Sequence, residues 1–233
     1  MFRLLTSVIA PLLAAEVQQG NVRVLHPGQG AEASRVAQAL DRAVRALPAF
    51  TGAASILVKA RLCADTQEFT ARTGLAPTAA AGVVEGEIVF PPARVTVRFE
   101  DLDEVARHEV AHLAVRESLG RALPRWLSEG LAARLSGKAG AGAAPDWKGA
   151  PCAKKLGELD AALLSRDADA RAAAYPRASA IVGAFAAAAG SNEALWNALG
   201  PRGDGGRLST RRLGARTVDE VLRAATGCTA EKK

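Results

Sequence analysis

Hydrophobic and polar residues follow two different patterns along this chain, and the change divides it into two halves. In the first hundred residues, short alternating segments predict β-strands that each bury one face. These predicted strands are residues 21–25, 55–60, 86–90 and, as a fourth candidate, 95–99. Apolar residues at helical spacing predict a helix over 31–47 and a shorter one over 65–73. The pattern of the first hundred residues therefore predicts a small mixed sheet with helices packed on it.

After residue 100 the helical spacing of apolar residues dominates. The predicted helices are 101–120, 124–135, 153–165, 171–189, 193–199 and 218–226. Asp101 with Glu104 three residues later, and Thr217 with Glu220, are typical of helix N-termini. The expected fold class is therefore α+β, with a small mixed-sheet lobe over 16–100 followed by a helical lobe over 101–233 in the same domain.

The amino-acid composition agrees with a helix-rich fold and excludes one class of function. The 233 residues are rich in alanine and include one tyrosine and six phenylalanines, which favours closely packed helices. Residues 137–149, rich in glycine and alanine, predict a loop. The net charge of +6 comes from scattered arginines rather than from a dense basic block, so nucleic-acid binding is not expected.

The N-terminus has the pattern of a secretory signal peptide. Arg3 gives a short basic start, residues 4–13 are mainly apolar, and Ala14 and Ala15 offer small side chains for cleavage. We expect a signal peptide over 1–15 and an exported bacterial protein, periplasmic or extracellular, with a buried N-terminal helix as the alternative. Neither this apolar run nor any later one is long enough for a stable membrane span.

The three cysteines, Cys63, Cys152 and Cys228, show no C-x-x-C spacing, which argues against a zinc site made of cysteines. In an exported protein we expect one disulfide and one free thiol. Cys152 and Cys228 both lie in the helical half and are the favoured pair, although the sequence leaves the connectivity open.

The main candidate for chemistry is a segment inside a predicted helix that reads H-E-x-x-H, from His108 to His112. Residues four apart lie on the same helix face, so the two imidazoles can share one metal ion. Glu109 is placed to reach a water on that metal. Two solvated histidines are the alternative, but the apolar residues around the motif indicate a buried helix, where unpaired imidazoles are costly.

A catalytic zinc takes three protein ligands and leaves one position open. His26, the remaining histidine, lies far off at a predicted strand end and is expected to be an ordinary turn residue. The next helix carries Glu129, which a helix-turn-helix can bring beside His108 and His112. Glu117 is the rival, but its position five residues past His112 puts it well round the same helix, where a solvated carboxylate is expected.

The segments H-E-V-A-H and L-P-R-W-L-S-E-G-L-A together resemble the gluzincin zinc metallopeptidases, specifically the bacterial peptidase MA-like family. The two helices carry the resemblance, and the flanking chain matches in pattern only. The resemblance implies a zincin-like fold with the active-site helix between the two lobes. It also implies His108, His112 and Glu129 as the ligands of one Zn2+ per chain, with Glu109 as general base.

The same resemblance implies a role for Tyr175, because a tyrosine on a later helix often donates to the oxyanion in this superfamily. Core packing is the alternative for this side chain, and Pro176 after it departs from the family pattern. A peptide is expected to add as a strand to the edge strand 86–90, where Gly82 and Gly86 would let its backbone approach.

The histidines also need partners, because a zinc-bound imidazole usually donates its second nitrogen to a carboxylate or a carbonyl. Ala133 occupies the position where some related enzymes place an acid. Asp103 or a backbone carbonyl is the remaining candidate for this role.

The sequence thus predicts a zinc metallopeptidase that hydrolyses peptide bonds with a metal-activated water, Glu109 taking the proton and passing it to the leaving amine. Its expected partner is a peptide or protein substrate. The alternative is a catalytically inactive zincin-fold envelope protein that binds a peptide or protein partner, against which the intact Glu109 argues. Cleavage preference, oligomeric state and any gating by the loop 137–149 stay open.

Overall fold

A computed structural model describes residues 14–93, 101–120, 123–138, 144–165, 167–200, 208 and 211–230. Its strands are β1 (Ala15–Gln19), β2 (Val22–His26), β3 (Val58–Leu62), β4 (Gly82–Val84), β5 (Glu87–Phe90), β6 (Arg212–Leu213) and β7 (Arg216–Thr217). Its helices are α1 (Gly30–Ala46), α2 (Thr66–Thr73), α3 (Leu102–Leu119), α4 (Arg125–Leu135), α5 (Cys152–Leu163), α6 (Ala168–Ala189), α7 (Asn192–Leu199) and α8 (Val218–Thr226). The expected α+β class, a small mixed sheet followed by a helical region, is confirmed.

The first five strands form one sheet in the order β1-β2-β3-β5-β4. β2, β3 and β5 run parallel in its centre, whereas β1 and β4 pair antiparallel at the two edges. Val22 and Val24 alternate with exposed residues along β2 and are fully buried in the core shared with α1. Phe69 of α2 packs against Val89 and Cys63 in a second, smaller cluster.

The edge of the sheet differs from the expectation in one respect that affects the site. The strand predicted over 86–90 is β5, which lies between β3 and β4 and is not an edge strand. The edge is β4, which a two-residue turn joins to β5. Glu85 and Gly86 in this turn have φ of 51° and 91°, as tight hairpins require. With three residues, β4 is too short for a hydrophobic alternation to show in the sequence.

Strand β1 was also missed, because four of its five side chains are exposed and the segment carries no apolar alternation. It begins at Ala15, at the end of the expected signal peptide, and residues 1–13 lie outside the described part of the chain. The fourth candidate strand, 95–99, lies outside it as well. The described end of the predicted loop, residues 144–149, contains no helix or strand.

Most helix boundaries follow the capping signals in the sequence. Asp101 accepts a hydrogen bond from the Glu104 backbone N–H at 2.7 Å, and Thr217 with Glu220 forms the predicted capping box. Helix α6 begins at Ala168, earlier than predicted, because the Asp167 side chain accepts hydrogen bonds from the first free N–H groups of the helix. Pro176 lies inside α6 rather than at its start.

Cys152 and Cys228 form a disulfide, which confirms the favoured pairing, and Cys63 is a buried free thiol. The disulfide fastens the start of α5 to the chain just after α8. Backbone hydrogen bonds from Cys152 to Thr229 and from Trp147 to Thr226 reinforce this junction. No helix within the described ranges combines the length and hydropathy needed to cross a membrane.

Candidate metal centre

Three predicted ligand side chains converge at the junction of α3 and α4. Nε2 of His112 lies 3.1 Å from Nε2 of His108 and 3.1 Å from Oε2 of Glu129. The third side of this triangle, from His108 Nε2 to Glu129 Oε2, is 3.3 Å. Glu129 is 4% exposed, and the two imidazoles are nearly buried. The sequence placed these three residues together correctly.

This triangle has the dimensions of a metal site. Ligands about 2.0–2.1 Å from a tetrahedral ion are separated from one another by about 3.3 Å, close to the three sides observed. Two imidazole nitrogens and one carboxylate oxygen leave a fourth coordination position open. The group could therefore hold a metal ion. Neither His26, buried at the end of β2, nor Glu117, half-exposed on α3, belongs to it.

Helix α4 is held in place by contacts from two other helices. Pro124 precedes its first residue and has no side chain that can cap it, so Asp160 of α5 accepts a hydrogen bond from the Trp126 backbone N–H at 2.6 Å. The buried indole of Trp126 packs edge-on against Phe185 of α6, with ring centroids 5.9 Å apart. The indole therefore packs α4 against α6.

A glycine directly after the ligand lets α6 approach α4 very closely. A Cβ atom on Gly130 would lie 2.6 Å from the carbonyl oxygen of Ala178 and 2.5 Å from Cγ2 of Val182. No side chain fits at this distance, so the residue after Glu129 must be glycine for these backbones to meet. The motif W-L-S-E-G thus encodes a helix contact as well as a ligand.

The two oxygens of Glu129 have different partners. Oε2 faces the imidazoles, and Oε1 lies 3.2 Å from Nη2 of Arg125 one turn earlier on α4. Burial alone would raise the pKa of Glu129, but the neighbouring His112 and His108 side chains outweigh burial and hold it well below its usual range. The carboxylate therefore stays ionised, which is the form that binds a metal.

One of the two histidines has an identified partner for its other nitrogen. Nδ1 of His112 lies 3.1 Å from Oγ of Ser128, which was not among the partners predicted from the sequence. Nδ1 of His108 is buried and has no hydrogen-bond partner among the described residues. Asp103, one of the two candidate partners, instead pairs with Arg42 of α1 at 2.6 Å, because α1 packs along α3 and supplies the nearer cation. The Asp103 candidate is therefore wrong.

Glu109, the residue between the ligands in sequence, is 7% exposed and faces the same cavity as the triad. Burial raises the pKa of Glu109 to about 7, and the negative charge of Glu129 adds to this effect, while His108 and Arg125 oppose it. A carboxyl group of this kind can both accept and return a proton near neutral pH.

Tyr175 lies beside the triad on α6, with its ring centroid 6.4 Å from that of His108. Burial, together with the charge of Glu129, raises the pKa of Tyr175 to about 12. The phenol therefore keeps its proton under ordinary conditions and is able to donate a hydrogen bond into the cavity. The ring of Tyr175 thus lies beside the candidate ligands, and its role as an oxyanion donor stays a prediction.

These residues lie in one open cleft of about 800 Å³. Helices α3, α4 and α6 supply its polar side, and strand β4 with the residues before it supplies an apolar wall that includes Gly82 and Val83. Gly86, the second glycine expected at the cleft, does not line it and lies against the Arg116 guanidinium. Ala133 lines the cleft without offering a polar group.

Comparisons with family models, with curated proteins and with solved structures give no match to this chain.

Proposed function

We propose that this protein is a zinc-dependent metallopeptidase of gluzincin type, similar to the bacterial peptidase MA-like family. The observation that carries the proposal is the 3.1–3.3 Å triangle of His108, His112 and Glu129, in a cleft that also holds Glu109. A scaffold that bound metal for structure alone would need a closed set of four ligands and no neighbouring base.

Zinc is the metal that best suits these donors. Borderline imidazole nitrogens combined with one carboxylate oxygen favour zinc over magnesium or calcium, which prefer sets of oxygen ligands. Three ligands with an open fourth position are typical of catalytic rather than structural zinc sites. One zinc ion per chain is proposed.

Each side chain then has a distinct task in hydrolysis. A zinc ion here supplies Lewis acidity, which acidifies water and polarises a carbonyl. Glu109 takes a proton from the attacking water and returns it to the leaving amine. The neutral phenol of Tyr175 donates a hydrogen bond to the oxyanion that develops on the substrate. Arg125 and Ser128 hold Glu129 and His112 in the orientation that ligation requires.

The peptide is proposed to lie along β4. In the part of the sheet that the structure describes, β4 is an edge strand that pairs with β5 alone, and two of its residues line the cleft. An extended peptide can add to such an edge through main-chain hydrogen bonds. Gly82 and Val83 line the cleft, so a substrate strand at this edge would pass the triad.

Export to an oxidising compartment is also proposed. The Cys152–Cys228 disulfide supports it, because disulfides of this structural kind persist in extracellular and periplasmic proteins and are rare in reducing cytosol. The signal-peptide pattern at residues 1–15 points the same way.

Glu109→Gln tests the proposed reaction. The variant should keep about one zinc per chain by elemental analysis and lose about 10²–10⁴-fold in kcat on a peptide library, because an amide cannot take the proton. Glu117→Gln is the matched control, since it makes the same change on the same helix outside the cleft. Full activity in Glu109→Gln, or peptide binding without cleavage by the zinc-loaded natural chain, would contradict the proposal. The second result would favour the non-catalytic alternative.

A further inference from the structure

The cleft is lined by more positive than negative side chains. Its described basic residues are Arg116, Arg125, Lys138 and Arg171, and its described acidic residues are Glu109 and Glu129. Both carboxylates belong to the metal centre. Which of the four cations can act on a substrate depends on how far neighbouring acids neutralise each of them.

Two of the cations are neutralised by neighbouring acids. Arg125 pairs with Glu129 at 3.2 Å, and Lys138 pairs with Glu104 at 2.6 Å. Arg171 differs from both. Its Nη1 donates to the Ser165 carbonyl oxygen at 2.8 Å, a neutral acceptor, and no carboxylate among the described residues pairs with its guanidinium.

Arg171 lies on the face of α6 that lines the cleft. It lies on α6 one turn before Tyr175 and two turns before Ser179, so the three form one face of the helix, and all three line the cleft. Ser179 is 3% exposed, and its hydroxyl has no hydrogen-bond partner among the described residues. On this face, the proposed oxyanion donor Tyr175 lies between the positive charge of Arg171 and the buried hydroxyl of Ser179.

The spacing sets how far from the metal centre Arg171 would act. Four helical residues advance about 6 Å, which corresponds to about two residues of an extended peptide. Tyr175 is the member of this face beside His108. A group bound by Arg171 would thus belong to a residue about two positions from the bond being cleaved.

We infer that Arg171 binds a carboxylate of the substrate, so that the cleft selects acidic peptides. The inference rests on the proposed function of the same site. A guanidinium with free donors is the side chain best suited to carboxylate recognition. The carboxylate has two sources with the same chemistry, an Asp or Glu side chain near the scissile bond or the α-carboxylate of a peptide C-terminus.

Three fluorogenic peptides of one sequence separate these sources. One carries Glu two positions from the bond with an amidated C-terminus, the second carries Gln there with a free C-terminus close to the bond, and the third carries Gln with an amide. We expect one carboxylate peptide to exceed the third about tenfold in kcat/KM, mainly through KM, because a charge-assisted hydrogen bond is gained. The difference should shrink as salt is added.

Arg171→Gln should remove this preference, and Arg171→Lys should restore part of it. Arg177→Gln is the matched control, because Arg177 is exposed on the same helix outside the cleft and the net charge changes equally. Zinc content and thermal unfolding are measured for each variant. The inference is wrong if the natural chain cleaves the three peptides alike, or if Arg171→Gln keeps the preference.

A binding assay separates this inference from the proposed function. The zinc-loaded Glu109→Gln variant is titrated against labelled versions of the three peptides by fluorescence anisotropy. Binding that prefers a carboxylate and depends on Arg171 supports the inference even if no peptide is cleaved by the natural chain, an outcome that would overturn the peptidase proposal alone. Equal binding of the three peptides would overturn the inference and leave the peptidase proposal standing.

Discussion

Ser128 and His112 meet through the imidazole nitrogen that faces away from the metal position, with Ser128 Oγ 3.1 Å from His112 Nδ1. Nε2 of the same ring faces His108 and Glu129. When Nε2 is the ligand, Nδ1 carries the proton and donates a hydrogen bond to the serine hydroxyl. The serine in W-L-S-E-G is therefore placed to orient the ring of a proposed ligand that lies sixteen residues earlier.

Ser128→Ala should weaken zinc binding about 10- to 100-fold, because the ring loses the hydrogen-bond partner that orients it. Competition with a fluorescent zinc chelator measures this change. Ser118→Ala serves as the control, since Ser118 donates to the Thr51 carbonyl away from the site. Equal zinc affinity in Ser128→Ala and the natural chain would show that the contact has no role in ligation.

Gly130→Ala should destabilise the fold by about 1–3 kcal/mol, because the new methyl group meets the Ala178 backbone and forces α4 and α6 apart. Chemical denaturation measures the loss. Gly157→Ala is the control in helix α5, where a Cβ meets nothing within 4 Å. That change should stabilise by about 0.5–1 kcal/mol. If both variants behaved alike, the close approach of the two helices would be refuted.

Tyr175→Phe should lower kcat on a cleaved peptide by about 10²–10³-fold while zinc content stays the same. The ring is kept, so its packing beside His108 is retained and only the donor is lost. Steady-state kinetics on one substrate, with zinc measured in parallel, give the comparison. A variant with unchanged kcat would leave Tyr175 as a packing residue, the alternative raised by the sequence.

Thiol titration should distinguish the three cysteines. Burial raises the pKa of the Cys63 thiol to about 12, so the folded protein should not react with Ellman's reagent at pH 8. Unfolding without reductant should expose one thiol per chain, and unfolding with reductant, followed by its removal, should expose three. A reactive thiol in the folded state would contradict the burial of Cys63.

Local signals were enough to predict most helices and the convergence of the three candidate ligands. The spacing of His108 and His112 is fixed by the geometry of one helix, and Glu129 lies on the next helix after a short connection, so no knowledge of distant packing was needed. The capping residues Asp101 and Thr217 act within four residues of themselves, which explains why they were recognised.

Features that depend on packing between distant segments were not predictable in this way. Asp103 pairs with Arg42, sixty-one residues away in the sequence. Asp160 caps helix α4, which begins thirty-five residues before it. Strand β4 is defined by its partner β5 rather than by its own three residues. Arg171 became distinct only once the carboxylates that neutralise Arg125 and Lys138 could be assigned.

The disulfide constrains one part of the proposed site and not the other. The covalent loop between Cys152 and Cys228, separated by 76 residues, contains Tyr175 and Arg171, whereas the three candidate ligands lie outside it. Closing a loop of this length destabilises the unfolded chain by about 4.5 kcal/mol in the entropic description. Reduction should therefore lower the free energy of unfolding by a similar amount, and it removes a covalent constraint from the loop that carries Tyr175 and Arg171 alone.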